Sequence, residues 1–195
     1  CCGEGPFLVS RYDTTTGEVI PIPDRIGILD RKLRIVTENV GTKPDEWLKH
    51  AILALKATLG FEWQGDNLLL ARENILYTML EYYKFYCTDE PIDHATLLEL
   101  ADIISWNIWQ MDGLKGQVPY AYKDGGFEQL DLFESPKQVM VPIQSKIMNW
   151  DSKKAILYRN SKGAISMKFD VVIGNPPYQE SKAKTKTQTQ SNSSW

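Results

Sequence analysis

The segment Lys168–Gly174 (KFDVVIG) constrains the fold more than any other stretch of the chain. It is β-branched and carries no charge after Asp170, and Asn175-Pro176-Pro177-Tyr178 closes it. That pattern predicts a buried strand ending abruptly in a stiff loop. Elsewhere, helical patterns alternate with short strand-like runs, which favours a layered α/β domain built on a parallel sheet.

The helical patterns follow from periodicity. CCGEGPFLVSRYD reads as a turn opening a helix, with Pro6 at an early helical position. Residues 14–24, rich in Thr, Gly and Pro, read as a connecting loop. Ile26, Leu29, Leu33, Val36 and Val40 recur at helical spacing, predicting a helix over 25–40. A second helix follows Pro44, with Asp45 and Glu46 in its first turn, a stripe at Leu48, Ile52, Leu55 and Leu59, and Gly60 as its terminator. Phe61–Gln64 is the tail of a strand. A long helix from near Asp66 carries Leu69, Leu76, Leu80 and Tyr83 on one face. Another helix follows Pro91 and Asp93, with Leu97, Leu100, Ala101 and Ile104. A strand is expected over Asn107–Met111, then an irregular stretch from Gly113 to about Lys137 that contains Gly125-Gly126 and no clear period. Residues 181–195 are polar and of low complexity, either a solvated loop or a cut segment.

At 195 residues the chain suffices for one domain with a full core. Its 43% apolar and 24% charged content is that of a soluble globular protein. A net charge of -3 gives no global electrostatic sign of a nucleic-acid binder, so any basic surface is local. Three cysteines, Cys1, Cys2 and Cys87, make no disulfide framework, and reduced thiols point to a cytoplasmic location. No signal peptide or membrane-length apolar run is present. The chain opens without Met on a Gly-rich turn, and is read as a fragment whose first strand lies upstream of Cys1.

The Asn-Pro-Pro-Tyr loop sits where open α/β sheets bind ligands, at the carboxyl end of a strand. An amine conjugated to an aromatic ring is a poor nucleophile, because its lone pair is delocalised. Two acceptors aimed at its hydrogens draw the nitrogen toward tetrahedral geometry and stabilise the positive charge that develops on attack. The Asn175 side-chain oxygen and the Pro176 carbonyl suit that role, Pro177 helps stiffen the loop, and Tyr178 offers a ring for a flipped-out base to stack on. The plainer alternative is a strand-ending turn.

FDVVIGNPPY resembles the catalytic motif of adenine-specific DNA methyltransferases, and the wider sequence resembles the modification methylases of type II restriction-modification systems. The resemblance implies a Rossmann-like S-adenosylmethionine-dependent methyltransferase sheet flanked by helices, incomplete at both ends. It implies a partial catalytic domain over residues 1–180, with 181–195 a tail or truncated loop. Asn175, Pro176, Pro177 and Tyr178 would contact the target adenine. Gly3-Glu4-Gly5 resembles the family's Gly-x-Gly turn, where the backbone approaches the methionine end of S-adenosylmethionine; any tight turn can also use two glycines. GFEWQGDNLLLAREN resembles the second-strand motif, with Glu62 binding the ribose hydroxyls and Ala71, Arg72 and Asn74 on the following helix. The usual separation of turn and acid is about 20 residues, nearer to Asp30. That residue lies inside a periodic helix, so Glu62 is preferred, a solvated surface acid being the alternative. NIWQMDGL resembles the third-strand segment, where Asp112 would reach the cofactor's adenine, although Asp-Gly is also turn chemistry.

The implied reaction is a single in-line displacement on the sulfonium methyl, with no covalent enzyme intermediate. The implied partners are double-stranded DNA, from which the adenine is flipped, and a restriction endonuclease, separate or fused; no membrane is involved. The alternatives are a protein glutamine-amide methyltransferase, a cytosine-amine methyltransferase (a group that more often resembles Ser-Pro-Pro-Tyr), and an inactive fragment retaining the motifs. Pro23-Asp24 with Asp30-Arg31-Lys32 superficially resembles a nuclease metal signature, but lies along a helix. His50 and His94 lack partners at metal-ligand spacing, so no metal is expected. Lys182, Lys184 and Lys186 are available to phosphates, with a solvated tail the preferred reading.

Overall fold

A computed structural model describes residues 2–128, 137–159 and 163–173. After a turn-rich entry and a short 3-10 turn at Ile22–Asp24, the order is α1 (Ile28–Val40), α2 (Pro44–Lys56), β1 (Gly60–Glu62), α3 (Gly65–Tyr86), α4 (His94–Asn107), β2 (Ile108–Gln110), β3 (Gln117–Glu128), β4 (Lys137–Gln144), β5 (Lys146–Asn149) and β6 (Lys154–Leu157). The architecture is mixed α/β with short sheets. β1 and β2 pair in parallel, with Glu62 opposite Gln110; β3–β4 and β5–β6 are antiparallel pairs.

The four helices gather around one core. Leu29 and Leu33 of α1, Trp47, Ala51 and Leu55 of α2, Ala71, Ile75 and Met79 of α3, and Leu100 and Ile103 of α4 are buried in it. Asp93 starts α4 by accepting the Ala95 and Thr96 N–H groups, an N-cap that satisfies two orphan donors. At the other end Asn107 gives its side-chain amide to the Leu55, Lys56 and Thr58 carbonyls, tying the exit of α4 to the exit of α2.

Several local expectations are corrected. No helix forms over residues 6–13. Instead Leu8 and Val9 donate back to the Gly5 carbonyl, while the Phe7 and Leu8 carbonyls accept the N–H groups of Ile28 and Leu29. The segment is spent capping α1, so it does not propagate a helix of its own. Gly60 does not terminate α2, which ends at Lys56; it opens β1. A Cβ there would lie 2.8 Å from Leu8 Cδ1 and 3.2 Å from Cys2 Sγ, so any larger residue would have to push those side-chain ends aside. The inward face of α3 is Leu68, Ala71, Ile75, Met79 and Tyr82, and Leu69 points outward. Within the run Leu68-Leu69-Leu70 composition cannot choose the phase, and packing does.

The stretch from Gly113 to Lys137 holds strand β3, paired with β4. Most of its side chains are exposed on both faces, so no inside-outside alternation was available to betray the strand. Conversely, Lys168–Ile173 is not a strand among the described residues, and Val171, Val172 and Ile173 are exposed, Val172 to 81%. β-propensity reports suitability for a pleated surface and supplies no pairing partner.

Candidate functional site

Parallel β1 and β2 end side by side, and the chain entry crosses that end. The Cys2 N–H donates to the Phe61 carbonyl at 2.7 Å, laying the first described residue alongside β1. The next residue turns over the strand end: Gly3 donates its N–H to Glu62 Oε2 at 2.7 Å, although the two are 59 residues apart in sequence. The other oxygen, Oε1, accepts the Gln64 N–H at 3.1 Å. Glu62 is only 3% exposed, yet both oxygens are bonded and each keeps a further lone pair.

The turn is left-handed at Gly3 (φ +55°) and Gly5 (φ +89°). A Cβ on Gly3 would meet no described atom within 4 Å, so this side of the turn faces open space. A Cβ on Gly5 would sit 3.5 Å from Ala71 Cβ on α3. Ala71 therefore lets the turn rest directly on the helix. One turn further, the Asn74 amide donates to the Glu4 carbonyl at 3.0 Å and to the Tyr12 hydroxyl at 3.1 Å. Tyr12 in turn donates to Glu4 Oε2 at 2.7 Å, and burial with this carboxylate pushes its phenol above the ordinary value. Arg72 reaches the other way, donating to the Ile108 and Ser105 carbonyls where α4 becomes β2. Thus Ala71, Arg72 and Asn74 brace both the glycine turn and the second strand from one helix.

Residues that the sequence did not single out complete the brace. Arg11 donates to Asn74 Oδ1 at 3.0 Å and forms a two-pronged ion pair with Glu81, which Arg25 also joins. Burial alone would raise the Glu81 carboxyl, but its bonds to Arg11 and Arg25 outweigh that and hold it below the ordinary value. Arg11 and Glu81 are 70 residues apart, and no local motif marks such a pair.

Asp112 stands two residues past β2 and is not bonded to Gly3 or Glu62. Pairing continues from β1 through the Met111 N–H to the Glu62 carbonyl, which carries Asp112 to the same sheet end. Its Oδ1 accepts the Leu114 and Lys115 N–H groups, an Asx-type turn at the root of β3. Asp30 is engaged elsewhere, with Oδ2 accepting the Ser10 and Gly27 N–H groups at the start of α1. Cys2 is buried beside Glu62, and burial first, then that carboxylate, push its thiol up to about 11. Asn175, Pro176, Pro177 and Tyr178 lie outside the described residues. Among the described residues, no cluster of His, Cys, Asp or Glu suits a metal ion, and no helix is long and apolar enough to cross a membrane.

Neither the curated proteins nor the solved structures yield a significant match to this chain. The family model described as Eco57I restriction-modification methylase matches residues 81–194. That stretch is more than half of the chain and contains Asp112 and the residues Asn175-Pro176-Pro177-Tyr178, whereas Gly3, Gly5 and Glu62 lie outside it. The chain belongs to the Eco57I restriction-modification methylase family, the methyltransferases of restriction-modification systems.

Proposed function

We propose that residues 1–180 carry the cofactor-binding and catalytic parts of an S-adenosylmethionine-dependent methyltransferase acting on the exocyclic amine of adenine in double-stranded DNA. The observation that carries the reading is the 2.7 Å bond from the Gly3 N–H to Glu62. It joins a glycine turn and a strand-ending acid, two features that mean little singly, at the carboxyl end of a parallel strand. Ligands of open α/β sheets bind at such ends. The order Cys2, β1, β2 supports a Rossmann-like sheet around that point.

The donor set fits the proposed cofactor. Gly3 leaves open the volume that a side chain would fill, so a ligand can approach its backbone. Glu62 is a carboxylate already oriented by two N–H groups, with lone pairs left for a ribose diol. Asp112 is a third polar group at the same sheet end. When bound, S-adenosylmethionine supplies an electrophilic methyl group on its sulfonium. The work of this chain is to position and polarise the acceptor. Asn175 Oδ1 and the Pro176 carbonyl each accept a hydrogen of the amine, holding its nitrogen lone pair free, while Tyr178 stacks on the extruded base. A buried thiol shifted up to about 11 is a poor nucleophile at neutral pH, which agrees with a reaction that uses no covalent intermediate on Cys2.

The test is transfer of label from tritiated S-adenosylmethionine to unmethylated duplex DNA, with digestion to nucleosides. Label is expected in methyladenine. Asn175→Ala should lower transfer by about 100-fold or more, as for loss of one preorganised polar contact, with S-adenosylhomocysteine binding retained. Label in protein rather than DNA would transfer the assignment to a glutamine amide. Failure to bind S-adenosylhomocysteine would overturn the methyltransferase reading of the site.

A further inference from the structure

We infer that Tyr120, delivered by the β3–β4 hairpin, forms with Trp63 an aromatic corner that seats the purine of the nucleoside held by Glu62. The inference rests on the cofactor reading given above for Glu62. Three observations point to it.

The first is position. Trp63 follows Glu62 directly, and its carbonyl accepts the Gln110 side-chain amide at 3.0 Å, so its backbone is pinned between the ends of β1 and β2. The second is the ring pair. Trp63 and Tyr120 have ring centroids 5.5 Å apart and planes at 77°, and Trp63 Nε1 donates to the Tyr120 hydroxyl at 3.3 Å. Two rings set edge to face make a corner, against which a planar heterocycle can lie flat on one ring and edge-on to the other. The third is the backbone. Tyr120 has φ +57°, one of only two non-glycine residues with positive φ among the described residues, at the irregularity in β3–β4 pairing between Gln117 and Tyr122. A bulky aromatic in that region is uncommon and is strained. Burial does not offset the strain, because Tyr120 remains 80% exposed. The hairpin thus holds an exposed ring in an unfavourable conformation, over the residue beside the ribose-binding candidate. A sequence-tolerant π-face is what purine binding uses.

The experiment measures binding of S-adenosylhomocysteine and of adenosine by titration calorimetry on the wild-type protein and on Tyr120→Ala, Tyr120→Phe and Glu62→Gln. Tyr120→Ala is expected to weaken both ligands by the same factor, roughly tenfold, as for loss of one base–aromatic contact. Tyr120→Phe keeps the ring and should stay within about threefold of wild type. This rescue separates a ring contact from general loss of fold, which circular dichroism checks in parallel. Wild-type affinity in Tyr120→Ala, with binding lost in Glu62→Gln, would overturn the role of Tyr120 and leave the cofactor reading intact. A loss confined to S-adenosylhomocysteine, with adenosine unaffected, would also overturn it, by placing Tyr120 at the amino-acid end. No binding of either ligand by the wild type would overturn both readings together.

Discussion

The helical region from Cys2 to Gln110 and the hairpin β3–β4 are built on opposite terms. In the first, four helices close over a single core, and polar side chains such as Asn74, Asn107 and Glu81 stitch distant segments together. In the second, a two-stranded ribbon leaves Tyr120, Tyr122, Phe127 and Met140 exposed, and its anchorage lies at its base. There Gly116 packs so closely that a Cβ would sit 2.9 Å from the Tyr158 ring, and the small cluster of Met111, Ile147 and Tyr158 is buried. Two-stranded ribbons are marginal in water unless something covers them. The contrast teaches that the helical region fixes the geometry of the sheet ends, while the ribbon contributes reach. Stability should therefore be sensitive to substitution in one and indifferent in the other.

The strongest test of that division is Trp47→Ala. The Trp47 side chain is fully buried, its indole donates to Thr37 Oγ1 at 2.8 Å, and its ring lies 6.1 Å from that of Tyr83. Urea denaturation should show a loss of about 3–5 kcal/mol. A loss below 1 kcal/mol would mean that the helical core is not the stabilising unit.

Glu81→Gln comes next. It leaves Arg25, 3% exposed, without its carboxylate, while Glu81 itself keeps 32% of its side-chain surface in water. The expected cost at pH 7 is about 2–3 kcal/mol, below the full range for a buried pair. Its pH dependence is a sharper signature. The folded-state carboxyl is held below its ordinary value of 4.5, so this contribution is complete above that pH and is lost as pH falls through the folded value. Wild type and Glu81→Gln should accordingly converge in urea midpoint as pH drops from 6 toward 3. A constant gap would show that the ion pair is not the source of the difference.

What could be read from the sequence divides along the same line. α1, α2, α3 and α4 announce themselves by helical spacing, and Leu29, Leu33, Leu55 and Tyr83 of the expected stripes are buried, whereas the buried Trp47 and Ala51 of α2 and Ile75 of α3 lie outside those stripes. β1 and β2 lie close to the strands expected at Phe61–Gln64 and Asn107–Met111, although Gly60 belongs to β1 and Asn107 to α4. The ribbon was invisible, since a strand exposed on both faces carries no alternation, and Lys168–Ile173 misled because its β-branched residues promise a partner that composition cannot name. At the candidate site, Gly3, Glu62, Ala71, Arg72 and Asn74 were legible through their motifs. Their convergence was not, because 59 residues separate Gly3 from Glu62 and only the fold brings them together. Arg11 and Glu81 had no motif at all.

Gly5→Ala tests whether the turn belongs energetically to the helical region. Space is not the obstacle, since the new Cβ would sit 3.5 Å from Ala71 Cβ, an ordinary contact. The cost is the backbone at φ +89°, about 1–2 kcal/mol for a non-glycine residue. A melting temperature unchanged from wild type would show that the turn is not held in this conformation, and that Ala71 and Asn74 do not brace it.

The smallest effect should fall on the ribbon. Tyr122→Ser removes a half-exposed ring paired with Pro142 across the β3–β4 ladder, away from the Trp63–Tyr120 contact. Cross-strand pairs contribute only a few tenths of a kcal/mol to about 1, and surface changes usually stay within about 0.5. Global stability by urea denaturation should thus be indistinguishable from wild type within about 0.5 kcal/mol. Amide exchange in β3 and β4 should quicken while α3 and α4 keep their protection, because a ribbon that opens alone does so without unfolding the helices. A drop in helix protection on Tyr122→Ser would instead make ribbon and helices one cooperative unit. The reach of Tyr120 would then be a property of the whole fold, with the core enforcing its strained backbone from a distance.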